Sequence, residues 1–220
     1  MKINSDIAYV IGVIHSDGCF YKFKDKKRKR NIMRLNLTVG RKSLLMAQKF
    51  KSLLLRNFNI SVNIRKKPNK ESYVIQTSVN NWWTIFQYWD KGQIPIEIQK
   101  SHKLFGVYLA GLVDGDGFIQ IKNNTKDRIL PQCVIKISAS EPLHLIKELI
   151  ELHMKCSVHY EFDKRSNCID TCFYVSYKSI DFIRKFMYPH VTLKHKIIAL
   201  DKYFKMKYEP ARIRNPVAQQ

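Results

Sequence analysis

The apolar positions of this chain change period in an order that occurs twice. Tyr9-Val-Ile-Gly-Val-Ile-His15 and Tyr108-Leu-Ala-Gly-Leu-Val-Asp114 are apolar on almost every face, which predicts two buried helices. The first is expected over Asn4 to Ser16 with Asn4, Ser5 or Asp6 as N-cap; the second runs to Asp114 and breaks at Gly115 and Gly117. Period-two stretches follow each helix, Cys19 to Lys24 and Ile32 to Val39 in the first half, Phe118 to Asn123 and Ile129 to Ala139 in the second. Helical spacing then returns, from an N-cap at Ser43 to about Phe58, and from Ser140-Glu-Pro-Leu143 onward, where proline suits a first turn. Each half next offers a hairpin: Val62 to Lys66 with Tyr73 to Val79 across Pro68-Asn69, and Ser157 to Asp163 with Ile169 to Ser176. Closing helices are predicted over Asn80 to Trp89, with Trp82, Phe86 and Trp89 as core, and over Ser179 to Tyr188 and Leu193 to Met206.

Helix, strand, strand, helix, strand, strand, helix is an α+β order. It predicts two similar units, each an antiparallel four-stranded sheet with helices on one face and the other face open. The units are expected over residues 1–90 and 103–206, joined by a linker over 91–102 that contains Gly92 and Pro95 and followed by a mobile tail over 207–220. Alternation assigns the open faces. In the first sheet Met33, Leu35, Leu37 and Val39 turn inward and Arg34, Asn36 and Thr38 outward, joined by Asn63, Arg65 and Gln76. In the second, Ile119, Ile121, Cys133, Ile135 and Ile137 oppose Gln120, Lys122, Gln132, Lys136 and Ser138, with His159 a weaker candidate.

Charge says what such faces could meet. The chain carries 39 Lys and Arg against 18 Asp and Glu, a net charge of +21, and so much positive charge calls for a polyanionic partner. Arg34 and Asn36 have the donors and acceptors to read base edges in a major groove. The run Lys24-Asp-Lys-Lys-Arg-Lys-Arg30, with Lys22 before it, suits phosphates, Arg28 and Arg30 among the candidates. No apolar stretch has the length of a spanning helix and the start does not resemble a signal peptide, so no membrane partner is expected. Five scattered cysteines, an odd number, are expected as reduced thiols in an intracellular setting, a prokaryotic cytoplasm or an organelle. Cys168-x-x-x-Cys172 has no second pair at ligand spacing and is not read as a zinc motif.

The two apolar helices end alike. Tyr9, Gly12, Asp17 and Gly18 each recur 99 positions later (116 minus 17), as Tyr108, Gly111, Asp116 and Gly117. Glycine inside an apolar helix is explained by close approach of another backbone, so the helices should pair through Gly12 and Gly111. That pairing would bring Asp17 and Asp116 together, and adjacent carboxylates favour a hard divalent cation.

Leu109-Ala-Gly-Leu-Val-Asp-Gly-Asp-Gly117 resembles the motif of the LAGLIDADG homing endonucleases, and Val10-Ile-Gly-Val-Ile-His-Ser-Asp-Gly18 resembles a degenerate first copy, departing at Val10, Ile11, His15 and Ser16. The resemblance covers about residues 4 to 206. It implies a saddle whose two sheets lie in successive major-groove stretches of double-stranded DNA, worked by a monomer that cuts a long asymmetric site and leaves short 3′ overhangs. It further implies Mg²⁺, with Mn²⁺ able to substitute and Ca²⁺ supporting binding without cleavage. The implied ligands are Asp17 and Asp116, with main-chain carbonyls near Ser16 and Gly115. Lys194 matches the family lysine before the last helix; Lys91 and Lys100 are both open as its first-half counterpart. The family's water-positioning glutamine falls near Arg41 and Ser140, neither of which is glutamine, and both are kept as DNA-contact candidates. Family members also serve as maturases, which makes the intron's own RNA a second candidate partner and an RNA-splicing cofactor an alternative function. A catalytically dead DNA-binding regulator is another. Retention of both aspartates favours the nuclease.

Overall fold

A computed structural model describes residues 2–25, 29–78, 93–122 and 131–208. The first unit comprises α1 (Ser5–Asp17), β1 (Gly18–Asp25), β2 (Arg30–Gly40), α2 (Leu44–Phe58), β3 (Ile64–Lys66) and β4 (Ser72–Ser78). A short helix α3 (Ile96–Lys100) precedes the second unit, α4 (His102–Asp116), β5 (Gly117–Lys122), β6 (Gln132–Ala139), α5 (His144–Met154), β7 (Val158–Asp163) and β8 (Cys168–Val175). The chain then turns through α6 (Ile180–Phe182) and a wider turn at Ile183–Met187 to α7 (Lys194–Tyr208). The strand orders, β1-β2-β4-β3 and β5-β6-β8-β7, are the same, and every pairing is antiparallel.

Helices α1 and α4 form the centre. Every residue from Ile7 to His15 is buried, as is every residue from Phe105 to Asp114. Apolar side chains on all faces leave such helices no solvent-facing stripe, so both must be enclosed by the two sheets and by each other. A Cβ on Gly12 would overlap the Tyr108 carbonyl and lie 3.1 Å from the Gly111 Cα; one on Gly111 would meet the Tyr9 carbonyl and lie 3.1 Å from the Gly12 Cα. The contact is reciprocal. Asn4 caps α1 by accepting from the Ile7 amide (2.9 Å), and Ser101 caps α4 through the Leu104 amide (3.2 Å).

Several expectations need correction. Helix α4 runs through Gly115 to Asp116, and the glycines after both motif helices, Gly18 and Gly117, are extended, with no glycine at positive φ among the described residues. Their requirement is steric: a Cβ at either would strike the preceding helical turn, at Ile14 or Val113. Ser43 makes no side-chain capping bond, because a tight turn at Arg41–Ser43 precedes α2. Helix α5 begins only at His144, so Ser140-Glu-Pro-Leu143 leads into it and does not form its first turn. Helix α3 occupies part of the expected linker, Ile98 being buried among the core residues. Helix α7 extends through Tyr208, two residues into the expected tail. The helix expected over Asn80–Trp89, the strand start at Ile129, Lys91, Arg28 and the tail beyond Tyr208 lie outside the described residues.

Candidate active site

Pairing of α1 with α4 brings their C-terminal ends together. A Cβ on Gly115 would overlap the Ser16 side chain and lie 3.1 Å from Oδ2 of Asp17, so the Asp17 carboxylate rests against the last turn of α4, one residue from Asp116. Both aspartates are half-buried and thus reachable from solvent. The Ser16 hydroxyl turns back to donate to the Gly12 and Val13 carbonyls (3.2 and 3.0 Å). Two carboxylates at adjoining helix C-termini, where carbonyl dipoles already gather negative charge, make an oxygen donor set that fits a hard divalent cation.

A buried ammonium stands behind them. Lys196, on the first turn of α7, donates to the carbonyls of Val113, which also accepts from the Gly117 amide, and of Asp114 (the latter at 3.0 Å) at the end of α4. Burial lowers its pKa to about 8, against the opposing pull of Asp114, Asp17 and Asp116. Lys194, expected in this place, is instead exposed at the first residue of α7, as is His195. The sequence Thr192-Leu-Lys-His-Lys196 offers both lysines, and only the helical phase, which turns position 196 inward and 194 outward, separates them.

The residues two before each aspartate act across the interface. Asp114 is fully buried and accepts from the Tyr9 hydroxyl (2.6 Å) and from the amides of Thr192 (2.9 Å) and Leu193 (3.3 Å), which fixes the entry to α7. His15, its counterpart at the same 99-residue offset (114 minus 15), is buried with Nδ1 2.9 Å from the Tyr108 hydroxyl. Each motif tyrosine thus bonds the other helix. Lys49 of α2 adds a further link, lying over the Tyr9 ring (3.5 Å) and donating to the His190 carbonyl (2.6 Å), with its pKa lowered to about 8 by burial. The tyrosines and the 99-residue offset were visible signals for these bonds; nothing in the sequence pointed to Lys49.

The outer faces hold the remaining candidates. Register sets Asn36 opposite Gln76 and Arg34 opposite Ser78, and a groove there is lined by Arg34, Asn63, Arg65, Val74, Gln76 and Thr77. Thr38 stands on the same face, opposite Val74, and Arg41 beyond it pairs with Glu71 at the exposed sheet end (3.8 Å). Positions 22 and 24 do not join this set. Phe20 is in step with Leu35 and Lys22 with Met33, which places Lys22 and Lys24 in the register of the inward face, while Cys19 and Tyr21 share the face of Asn36 and Arg34. The side chains of Lys22 and Arg30 lie outside the described ones.

In the second sheet Phe118 pairs with Lys136, Gln120 with Val134 and Lys122 with Gln132, placing Gln120, Lys122, Gln132, Lys136 and Ser138 on one face as the alternation predicts; Ser140 is exposed past the strand end. This face also carries acids. Lys136 binds Glu161 and lies 3.7 Å from Asp170, Ser138 donates to Asp170 (2.6 Å), and His159 is 3.1 Å from Glu161. Bonding to Lys136 and His159 holds the Glu161 carboxyl down at about 2. Alternation over Val158-His-Tyr-Glu-Phe-Asp163 sets Glu161 on the same side as His159, and the pairing of β7 with β8 sets Asp170 opposite Glu161.

Two α+β units of one strand order, joined through a glycine-lined helix pair that ends in two aspartates, define the fold of the single-chain LAGLIDADG homing endonucleases. Residues 4–89 match the family model described as LAGLIDADG-like domain. Among solved structures, mesophilic variants of the homing endonuclease I-DmoI superpose with a TM-score of 0.62 at 19% identity, covering 90% of this chain and 97% of theirs. The LAGLIDADG homing endonuclease I-LtrWI bound to target DNA gives 0.62 at 17% identity, covering 93% and 91%. The meganuclease I-SmaMI bound to uncleavable DNA gives 0.58 at 15% identity, covering 93% and 90%. I-DmoI has also been solved with DNA and Mn, and with DNA and Ca. Nothing among curated proteins matches the sequence. No helix among the described residues is long and apolar enough to cross a membrane.

Proposed function

We propose that this protein is a site-specific DNA endonuclease of the homing type, acting as a monomer on a long, asymmetric double-stranded target. One observation carries the reading: Asp17 rests against the helix end that bears Asp116, between two sheets of one strand order, the first presenting Arg34, Asn63, Arg65 and Gln76 and the second Gln120, Lys136 and Ser138 beside acids. With the sheets along successive major-groove stretches, the aspartates would face the intervening phosphates of both strands.

Asp17 and Asp116 would hold Mg²⁺, or Mn²⁺ in its place. Bound there, the cation supplies activation of water and neutralisation of the leaving 3′ oxygen, the two demands that make a phosphodiester inert. Lys196 is a positioning residue: its ammonium ties the Val113 and Asp114 carbonyls to α7 and offsets the charge gathered at the helix ends. Asp114 serves the same end from the other side, fixing α7 through Thr192 and Leu193 without facing the substrate. Cleavage in both strands would leave short 3′ overhangs.

The test is incubation of the purified protein and Mg²⁺ with a randomised duplex library, followed by sequencing of the cut ends. A single long site with short 3′ overhangs is expected. Asp17→Asn and Asp116→Asn should each abolish cutting while binding in Ca²⁺ persists; scission at the unaltered rate in either variant would refute the assignment. Binding of intron RNA with no cutting of any duplex would favour the splicing role.

A further inference from the structure

A second cluster of metal-ligating side chains lies away from the motif helices, on the outer face of the second sheet. His159 and Glu161 are two apart on β7 and share that face, and strand register sets Cys172 of β8 directly opposite His159. The ligand atoms of His159, Glu161 and Cys172 all lie within 4.8 Å of one another. Neighbours already orient them. The His159 ring stacks on Tyr174 (centroids 5.6 Å apart, planes at 18°), and its Nε2 is 3.1 Å from Oε1 of Glu161. Lys136 engages the other carboxylate oxygen, Oε2, which leaves Oε1 on the side of His159.

Donor chemistry selects the ion. One nitrogen, one oxygen and one sulfur in a single triad suit a borderline-soft cation such as Zn²⁺, whereas Mg²⁺ and Ca²⁺ take oxygen. Local charge agrees. Glu161 and Asp170 both lie beside Lys136, so a cation at the triad meets two carboxylates against that one ammonium. Burial pushes the Cys172 thiol up to about 11 while Lys136 draws it down, and a cation at the sulfur would add to the pull of Lys136.

We propose that His159, Glu161 and Cys172 form a site for a thiophilic divalent cation of the Zn²⁺ class, tying β7 to β8 with a fourth position open to water. On binding, cation bonds form to Sγ, Nε2 and Oε1. The thiol proton now directed at the Asp170 carbonyl is released to solvent, and the imidazole binds in its neutral form with its remaining proton on Nδ1. Nothing is oxidised or reduced. The site does not rest on the nuclease reading, and its test needs no DNA.

Metal-stripped, reduced full-length protein is titrated with Co²⁺, whose bond to a thiolate gives a near-ultraviolet charge-transfer band. Saturation at one equivalent is expected, with displacement by Zn²⁺ and persistence in millimolar Mg²⁺. Cys172→Ser should remove the band, His159→Ala should weaken binding by more than about tenfold, and Cys19→Ser should change nothing. Because Cys172 is buried, its variant is checked for folding by circular dichroism; His159, with a side chain 40% exposed, carries the test if Cys172→Ser does not fold. Absence of a thiolate band in the wild-type protein would overturn the proposal, as would full-strength binding in His159→Ala.

Discussion

The two units share strand order, helix pairing and the position of the motif aspartate, yet their polar residues have gone separate ways. The first sheet presents Arg34, Asn63, Arg65 and Gln76 along its groove; the second presents Lys136 bound to Glu161 and beside Asp170. The interface bonds diverge in the same manner, a carboxylate at Asp114 accepting from Tyr9 and an imidazole at His15 bonded to Tyr108. Inward positions are held to apolar residues by the core, whereas outward ones are held only by what they meet. The comparison teaches that one fold presents two electrostatically different surfaces, as the proposed asymmetric target would require.

The largest effect that would sharpen the contrast is on stability. Asp114→Ala deprives Tyr9, Thr192, Leu193 and the nearby Lys196 ammonium of their shared acceptor or counter-charge, and should cost about 3–5 kcal/mol, the range for breaking a buried charged pair. His15→Ala removes the bond to the Tyr108 hydroxyl with no buried carboxylate lost, and should cost about 1–3 kcal/mol, cavity formation included. Urea midpoints of the two variants check the difference. Equal losses would mean that the two positions are interchangeable and that charge at Asp114 adds nothing.

Fold and aspartates were legible because both are written in apolar periodicity. Alternation at Leu35-Asn-Leu-Thr-Val39 and the all-apolar run around Gly111 leave little choice of face, and Gly12 and Gly111 declare a helix contact that no larger residue would permit. Lys196 was not legible. Three basic residues stand at positions 194 to 196, and burial of one depends on the phase at which α7 starts, which is set in turn by the bonds from Asp114 to Thr192 and Leu193. Cross-strand ion pairing was hidden for a related reason: alternation gives the face of Lys136, but only the pairing of β6 with β8 and of β7 with β8 sets it beside Glu161 and Asp170. Lys22 and Lys24, expected among the phosphate contacts, stand in the register of the inward face and so on the opposite side of the sheet from Arg34, which only the pairing of β1 with β2 reveals.

A smaller effect should separate the outer faces. Arg34→Ala is expected to weaken binding of the target duplex by about 1–3 kcal/mol and to relax preference at one or two base pairs, as loss of a base-edge contact does. Lys136→Ala should cost less than about 1 kcal/mol, because its charge is already engaged by Glu161. Equilibrium binding in Ca²⁺ across a panel of single-base variants of the target reads both. Matching losses would show that DNA draws Lys136 away from its acids and would erase the distinction between the sheets.

The smallest effect lies in the interface bonds themselves, isolated from the cavities that truncation leaves. A double-mutant cycle of Tyr108→Phe with His15→Ala removes the hydroxyl, the imidazole or both, so that packing losses cancel and the coupling of the pair remains. For a neutral hydrogen bond that coupling should be about 0.5–1.5 kcal/mol. The same cycle of Tyr9→Phe with Asp114→Ala should give about 1.5–3 kcal/mol, because the acceptor is a carboxylate 2.6 Å from the hydroxyl. Burial and proximity to Asp114 both push the Tyr9 hydroxyl above its ordinary pKa, so it stays protonated and able to donate throughout neutral pH. Coupling energies that agreed within experimental error would remove the carboxylate as the source of the asymmetry and leave only the number of its partners to explain a greater loss from Asp114→Ala.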